Sequence, residues 1–99
     1  MTSRPNILII QADQLAARYR GAYQNPIEST PHIDSLAANG AVFDSAYTNF
    51  PLCAPSRFSM MSGQLASTIG AYDNGAEFTS SIPTFAHYLR NLDYRVPQQ

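Results

Sequence analysis

The sequence predicts an α/β fold, and three observations carry that expectation. Ile7, Leu8, Ile9 and Ile10 form a short run that is apolar on both faces, as a strand buried in a parallel sheet requires. Three later segments have helical spacing, and two of them place proline near the start and glycine at the end. The resulting order of strand, helix, strand, helix, helix alternates as α/β chains do. With 99 residues the chain is one domain's worth at most. No internal repeat or low-complexity tract interrupts it.

Taken in order, residues 5–11 read as the first strand, because Pro5 precedes the apolar run and polar residues follow it. The competing reading, a buried helical turn, is disfavoured by the same flanks. Asp13 then stands just past the carboxyl end of that strand. Residues 30–40 read as a helix, with Thr30 as N-cap, Pro31 in the first turn, Ile33, Leu36 and Ala37 at helical spacing, and Gly40 as the stop. Residues 41–47 read as a second strand, followed by a polar turn through Asn49 and Pro51. Residues 55–63 form the next helix, from Pro55 to Gly63, so that Cys53 lies at or just before a helix N-terminus. Residues 64–81, rich in Gly, Ser, Thr and Asn, read as loop. Residues 83–92 make a third helix with Phe85, Tyr88, Leu89 and Leu92 on one face. An extended segment begins at Tyr94.

Composition excludes several function classes. The hydrophobic share of 44% is that of a globular chain, whereas the charged share of 13% is half the usual value of about 25%. Much of the surface is therefore expected to be meant for burial. The six basic residues are all arginine and the seven acids leave a net charge of −1, so the electrostatic footprint of a nucleic-acid binder is missing. The opening apolar run of four residues is too short for a signal-peptide core or a membrane span, which makes the cytoplasm the expected location. A single cysteine cannot close an internal disulfide, and no Cys/His cluster has zinc spacing.

The lone thiol is nevertheless the most informative side chain. Cys53 at a helix N-terminus, with Arg57 four residues on, stands in the electropositive setting that activates a nucleophilic cysteine. A buried structural cysteine is the alternative that composition alone favours. Asp13, beyond a buried strand, is placed to offer a carboxylate to a hard cation, or else is an ordinary turn aspartate. Asn74, before Gly75, is a turn former by composition. His32 reads as a first-turn surface residue and His87 as a satisfied helix histidine. Tyr47, Phe50 and Tyr72 read either as core or as a lining for a quaternary ammonium group through cation–π contact.

The run Cys53, Pro55, Arg57, extended through Ser56 and closed by Ser62 and Gly63, resembles the signature of type I sulfatases of the alkaline phosphatase superfamily. The opening from Arg4 to Gln14 and the segment from Thr30 to Asp34, followed by Leu36, Ala37, Gly40, Val42 and Phe43, are similar to the same family's first strand and following helix. Residues 13–18, the Tyr72, Asp73, Asn74 run and residues 85–90 look like the choline-sulfatase branch. The resemblance covers residues 4–95. It implies an alkaline-phosphatase-like sandwich with a mostly parallel central sheet, of which residues 1–99 would be an incomplete N-terminal part of the catalytic domain.

The resemblance also implies a chemistry. Cys53 would be oxidised to formylglycine, whose hydrate attacks the sulfur of a sulfate ester with one oxygen and expels sulfate through the other. Arg57 would hold that group, Asn74 would bind the sulfate, and Asp13 with the modified Cys53 would face a divalent metal, Ca²⁺ ahead of Mg²⁺ or Mn²⁺. The implied partners are a formylglycine-generating enzyme and a small sulfate ester, choline sulfate by the branch resemblance, with a homo-oligomer open for a full-length form. Membrane and nucleic acid are not expected partners. A phosphonate or phosphate diester hydrolase of the same superfamily, or a truncated non-enzymatic product, is the alternative reading.

Departures from the family pattern lower the activity expected of residues 1–99. Gln14 stands where many sulfatases have a second acid, and Gln64, Ala66 and Thr68 replace residues that are often Arg, Pro and Arg. Phe50 replaces a small residue near the nucleophile. The family's later catalytic Lys and His and remaining metal ligands have no counterpart here, since the sequence has no Lys at all. One aspartate cannot build a six-to-eight-oxygen cage. An isolated chain of this length is thus expected to be inactive.

Overall fold

A computed structural model describes residues 3–17 and 29–97. Three helices are present among them: α1 (Pro31–Asn39), α2 (Cys53–Ser62) and α3 (Phe85–Asn91). All three fall where helical spacing, proline and glycine place them. The chain divides into two compact units, Met1–Asp44 and Ser45–Gln99. Arg18, the last residue of the run that begins at Asp13, lies outside the described residues.

In the first unit the expected strand at residues 5–11 is not formed, and no strand occurs among the described residues. The physical reason is visible at Ile7, Leu8, Ile9 and Ile10, which are 55% to 84% exposed. A strand exists only as a paired strand, because its backbone donors and acceptors are satisfied by a neighbouring chain segment. An apolar run with nothing packed on either face has no such neighbour. Residues 41–47, the second expected strand, likewise form no strand, and Phe43 and Tyr47 are exposed there. The chain turns at Asp13 and Gln14, and Gln14 adopts a left-handed φ of 55°, an uncommon conformation for a residue with a side chain.

Helix α1 starts as its sequence dictates, with Pro31 in the first turn where no amide partner is lost. Thr30 does not cap the backbone with its side chain. Its hydroxyl instead donates to Asp34 Oδ1 at 3.0 Å, while its carbonyl accepts the Asp34 amide at 2.9 Å. Gly40 ends the helix with extended rather than left-handed backbone, and a Cβ there would meet the Leu36 carbonyl oxygen at 3.1 Å. No residue of α1 is buried.

The second unit has a small core. Pro55, Ser59, Ala66, Ala71 and Thr84 are buried, and α2 packs against α3. Pro55 sits in the first turn of α2, where its missing N–H would have had no intrahelical acceptor. Gly63 terminates α2 at φ 70°, and its amide donates to the Ser59 carbonyl at 2.8 Å, a left-handed cap that only glycine enters without a Cβ penalty. Residues 64–81 are a structured loop rather than loose chain. The Ala71 amide closes a turn on the Ala66 carbonyl at 2.9 Å, which buries both alanines. Phe58 of α2 stacks on Phe78 with ring centroids 4.8 Å apart and planes 13° apart. At the start of α3, His87 Nδ1 accepts the Thr84 amide at 3.0 Å and lies 2.9 Å from the Thr84 hydroxyl, so it is the ring nitrogen without a proton.

Candidate active site

Cys53 is the first residue of α2, half-buried, with its thiol free of any disulfide. The chain enters the helix through Leu52 in extended conformation, and Leu52 supplies no side-chain cap. A helix start leaves four amides without intrahelical partners. One of these, at Ala54, is satisfied from twenty residues away: Asn74 Oδ1 accepts the Ala54 N–H at 3.0 Å. The turn at Asp73 and Gly75 holds Asn74 in place, because the Gly75 amide donates to Asp73 Oδ1 at 2.9 Å and the Ala76 amide to the Asp73 carbonyl at 3.3 Å. Two of the expected site residues are therefore brought together, Asn74 against the first turn that begins with Cys53.

The segment leading into α2 is fastened as well. Thr48 Oγ1 lies 3.0 Å from Ser56 Oγ, donates to the Phe50 carbonyl at 3.0 Å and accepts the Phe50 amide at 3.3 Å. Ser59 Oγ, which is buried, donates to Asn49 Oδ1 at 3.1 Å. Neither Thr48 nor Asn49 stands out in the sequence as more than a turn residue. Their role depends on a partner eight or ten residues on, and spacing alone does not reveal such a bond.

Arg57, half-buried on the second turn of α2, carries its guanidinium on the helix that Cys53 opens. Asp13 lies in the first unit, at the bend that follows the apolar run, and is exposed. Among the described residues no three His, Cys, Asp or Glu side chains come together in a way that could hold an ion. The described residues do not fit a complete divalent-cation site, and one carboxylate offers at most two of the six or more oxygens that Ca²⁺ takes. Tyr47 and Tyr72 are exposed, and the Tyr72 hydroxyl donates to the Ser67 carbonyl at 3.4 Å. His32 is exposed on the first turn of α1. No described helix is long and apolar enough to cross a membrane.

A helix opening on a cysteine, with proline and arginine in its first turns and a glycine cap at its end, carries the residues in which the sequence resembles the sulfatase signature. The sulfatase family model matches residues 5–97, and the chain belongs to that family. Membership assigns the alkaline-phosphatase-like α/β class, within which the three helices described here are the helical part. Among curated relatives, the chain is 47% identical over 93 residues to the choline-sulfatase of Rhizobium meliloti (strain 1021), covering 94% of this chain and 18% of that protein. It is 41% identical over 78 residues to arylsulfatase A of Bos taurus, covering 79% of this chain and 15% of that one. Identity to the N-acetylgalactosamine-6-sulfatase of Rattus norvegicus is 34% over 97 residues, covering 89% of this chain and 18% of that one. The chain thus spans less than one-fifth of the length of these relatives. No solved structure matches it.

Proposed function

We propose that this chain carries the nucleophile segment of a sulfuric ester hydrolase, with choline O-sulfate as substrate and residues 1–99 as an N-terminal stretch of its catalytic domain. The observation that carries the reading is Cys53 at the start of α2 with Pro55, Ser56 and Arg57 behind it and Asn74 bonded to the adjacent amide. The substrate follows from the 47% identity to a protein named choline-sulfatase.

Cys53 is the residue converted to formylglycine, by a formylglycine-generating enzyme acting on this chain. The modified side chain supplies a hydrated aldehyde, a nucleophile that can be regenerated without a separate attacking water. Arg57 neutralises charge on the sulfuryl oxygens with its guanidinium. Asn74 binds sulfate. Its Oδ1 is occupied by the Ala54 amide, which fixes the carboxamide and leaves the two Nδ2 hydrogens to donate to a sulfuryl oxygen. Asp13 would offer one carboxylate toward a divalent cation, Ca²⁺ first. The protein acts in the cytoplasm.

Peptide mass analysis tests the reading. The full chain is produced beside a formylglycine-generating enzyme, and the peptide holding Cys53 is examined for exchange of sulfur and two hydrogens for one oxygen. Conversion is expected. An unaltered thiol in all molecules, under conditions that convert a control sulfatase, overturns it.

A further inference from the structure

The bonds that tie residues 48 and 49 to α2 have no part in the chemistry assigned above, yet they meet the helix that the nucleophile opens. Thr48 reaches Ser56 at 3.0 Å and Asn49 accepts from Ser59 at 3.1 Å. Ser56 and Ser59 are three residues apart, so they lie one turn apart on neighbouring positions of one helix face. Only three residues, Phe50, Pro51 and Leu52, separate Asn49 from Cys53. With Thr48 and Asn49 anchored on α2, the chain between them and the helix is a closed loop, and its closure fixes the direction from which the backbone enters at Leu52.

Ser59 makes this anchor selective. It is 7% exposed, and Asn49 Oδ1 is the acceptor its hydroxyl uses. A buried hydroxyl that loses its acceptor loses a bond that water does not replace, so the loop is held in the one register that satisfies Ser59. Thr48 is satisfied on every lone pair in that register, by the Phe50 amide and the Ser56 hydroxyl, while it donates to the Phe50 carbonyl. Asn74 holds the first turn of α2 through the Ala54 amide.

We propose that Asn49 is a positioning residue: through its bond to Ser59 it sets the approach of the chain to Cys53 and so the placement of the nucleophile. The inference rests on the proposed role of Cys53. A nucleophile displaced by about 1 Å loses on the order of 100-fold in rate without losing its substrate.

The test uses a full-length sulfatase that contains residues 1–99, produced with a formylglycine-generating enzyme, with the converted fraction at Cys53 measured by peptide mass and kcat expressed per converted molecule. The substrate is choline O-sulfate. Asn49→Ala and Ser59→Ala are each expected to lower kcat about 10- to 100-fold with KM unchanged. The double variant is expected to be no worse than either single one, since both remove one bond. Asn49→Asp, which keeps the accepting oxygen, restores kcat. Amide hydrogen exchange reads the same bond without turnover: Asn49→Ala loses protection in the first turn of α2 and Asn49→Asp keeps it.

Wild-type kcat in Asn49→Ala, multiplicative losses in the double variant, or unchanged exchange in α2 each overturn the positioning role while leaving the hydrolase reading intact. A full-length wild-type protein with neither converted Cys53 nor turnover overturns both.

Discussion

The two units of this chain are built in opposite ways. In the first, between residues 3 and 44, the most apolar segment of the sequence is exposed, and α1 buries none of its residues. The second holds fewer large aliphatic residues, yet it buries Pro55, Ser59, Ala66, Ala71 and Thr84 and ties segments twenty residues apart by a side-chain bond. The difference teaches that hydrophobicity is not what organises a short segment. A run such as Ile7 to Ile10 is stabilised only by a surface to pack on, at about 25 cal/mol per Å² of apolar area removed from water. Small residues at turns and polar side chains aimed at helix ends organise the second unit because their partners lie within it.

Expected outcomes sharpen that contrast, beginning with the largest. Cys53→Ala in a full-length sulfatase that contains residues 1–99 is expected to reduce sulfate-ester turnover by about 10⁴-fold or more, with unfolding unchanged, as removal of a nucleophile does. Steady-state kinetics beside urea denaturation checks it, and retained turnover removes Cys53 from the chemistry. Within the second unit, Ala71→Leu forces a larger side chain into a site that is 1% exposed and costs about 1–3 kcal/mol by urea unfolding. Gly63→Ala places a Cβ at φ 70° and costs about 1–2 kcal/mol by the same measurement. No heavy atom lies within 4 Å of that Cβ, so the loss reports backbone conformation and not a clash.

Asn74→Ala removes the acceptor at the start of α2. A loss of about 1 kcal/mol is expected, the usual worth of a helix cap, together with faster amide exchange at Ala54. The smallest effect belongs to the first unit. Leu8→Ser, at a residue 84% exposed, is expected to change the stability of this chain by less than about 0.5 kcal/mol in thermal unfolding. A loss of several kcal/mol there would show that the apolar run is packed in solution and would remove the contrast between the units.

The sequence made the helices legible because their signals are local. Pro31, Pro55 and Gly63 act within one or two turns of themselves, and the Cys53 to Gly63 run marks the family by residue types at fixed spacing. The strands were not legible in the same sense. Ile7 to Ile10 has the composition of a buried strand, but a strand is a relation between two segments, and no described segment pairs with it. Asn74 was singled out by its resemblance to a sulfate-binding position. Its bond to the Ala54 amide, and the anchoring of α2 by Thr48 and Asn49, had no sequence signal.

What the sequence determined by itself is therefore the family, the presence of three helices and the place of Cys53 at a helix start, since each depends on neighbours along the chain. Only the tertiary structure decided which side chains hold that helix start. Whether an amide of the first turn meets Asn74, or a buried hydroxyl meets Asn49, depends on how the loops close, and a hydrogen bond forms only where distance and direction are both met.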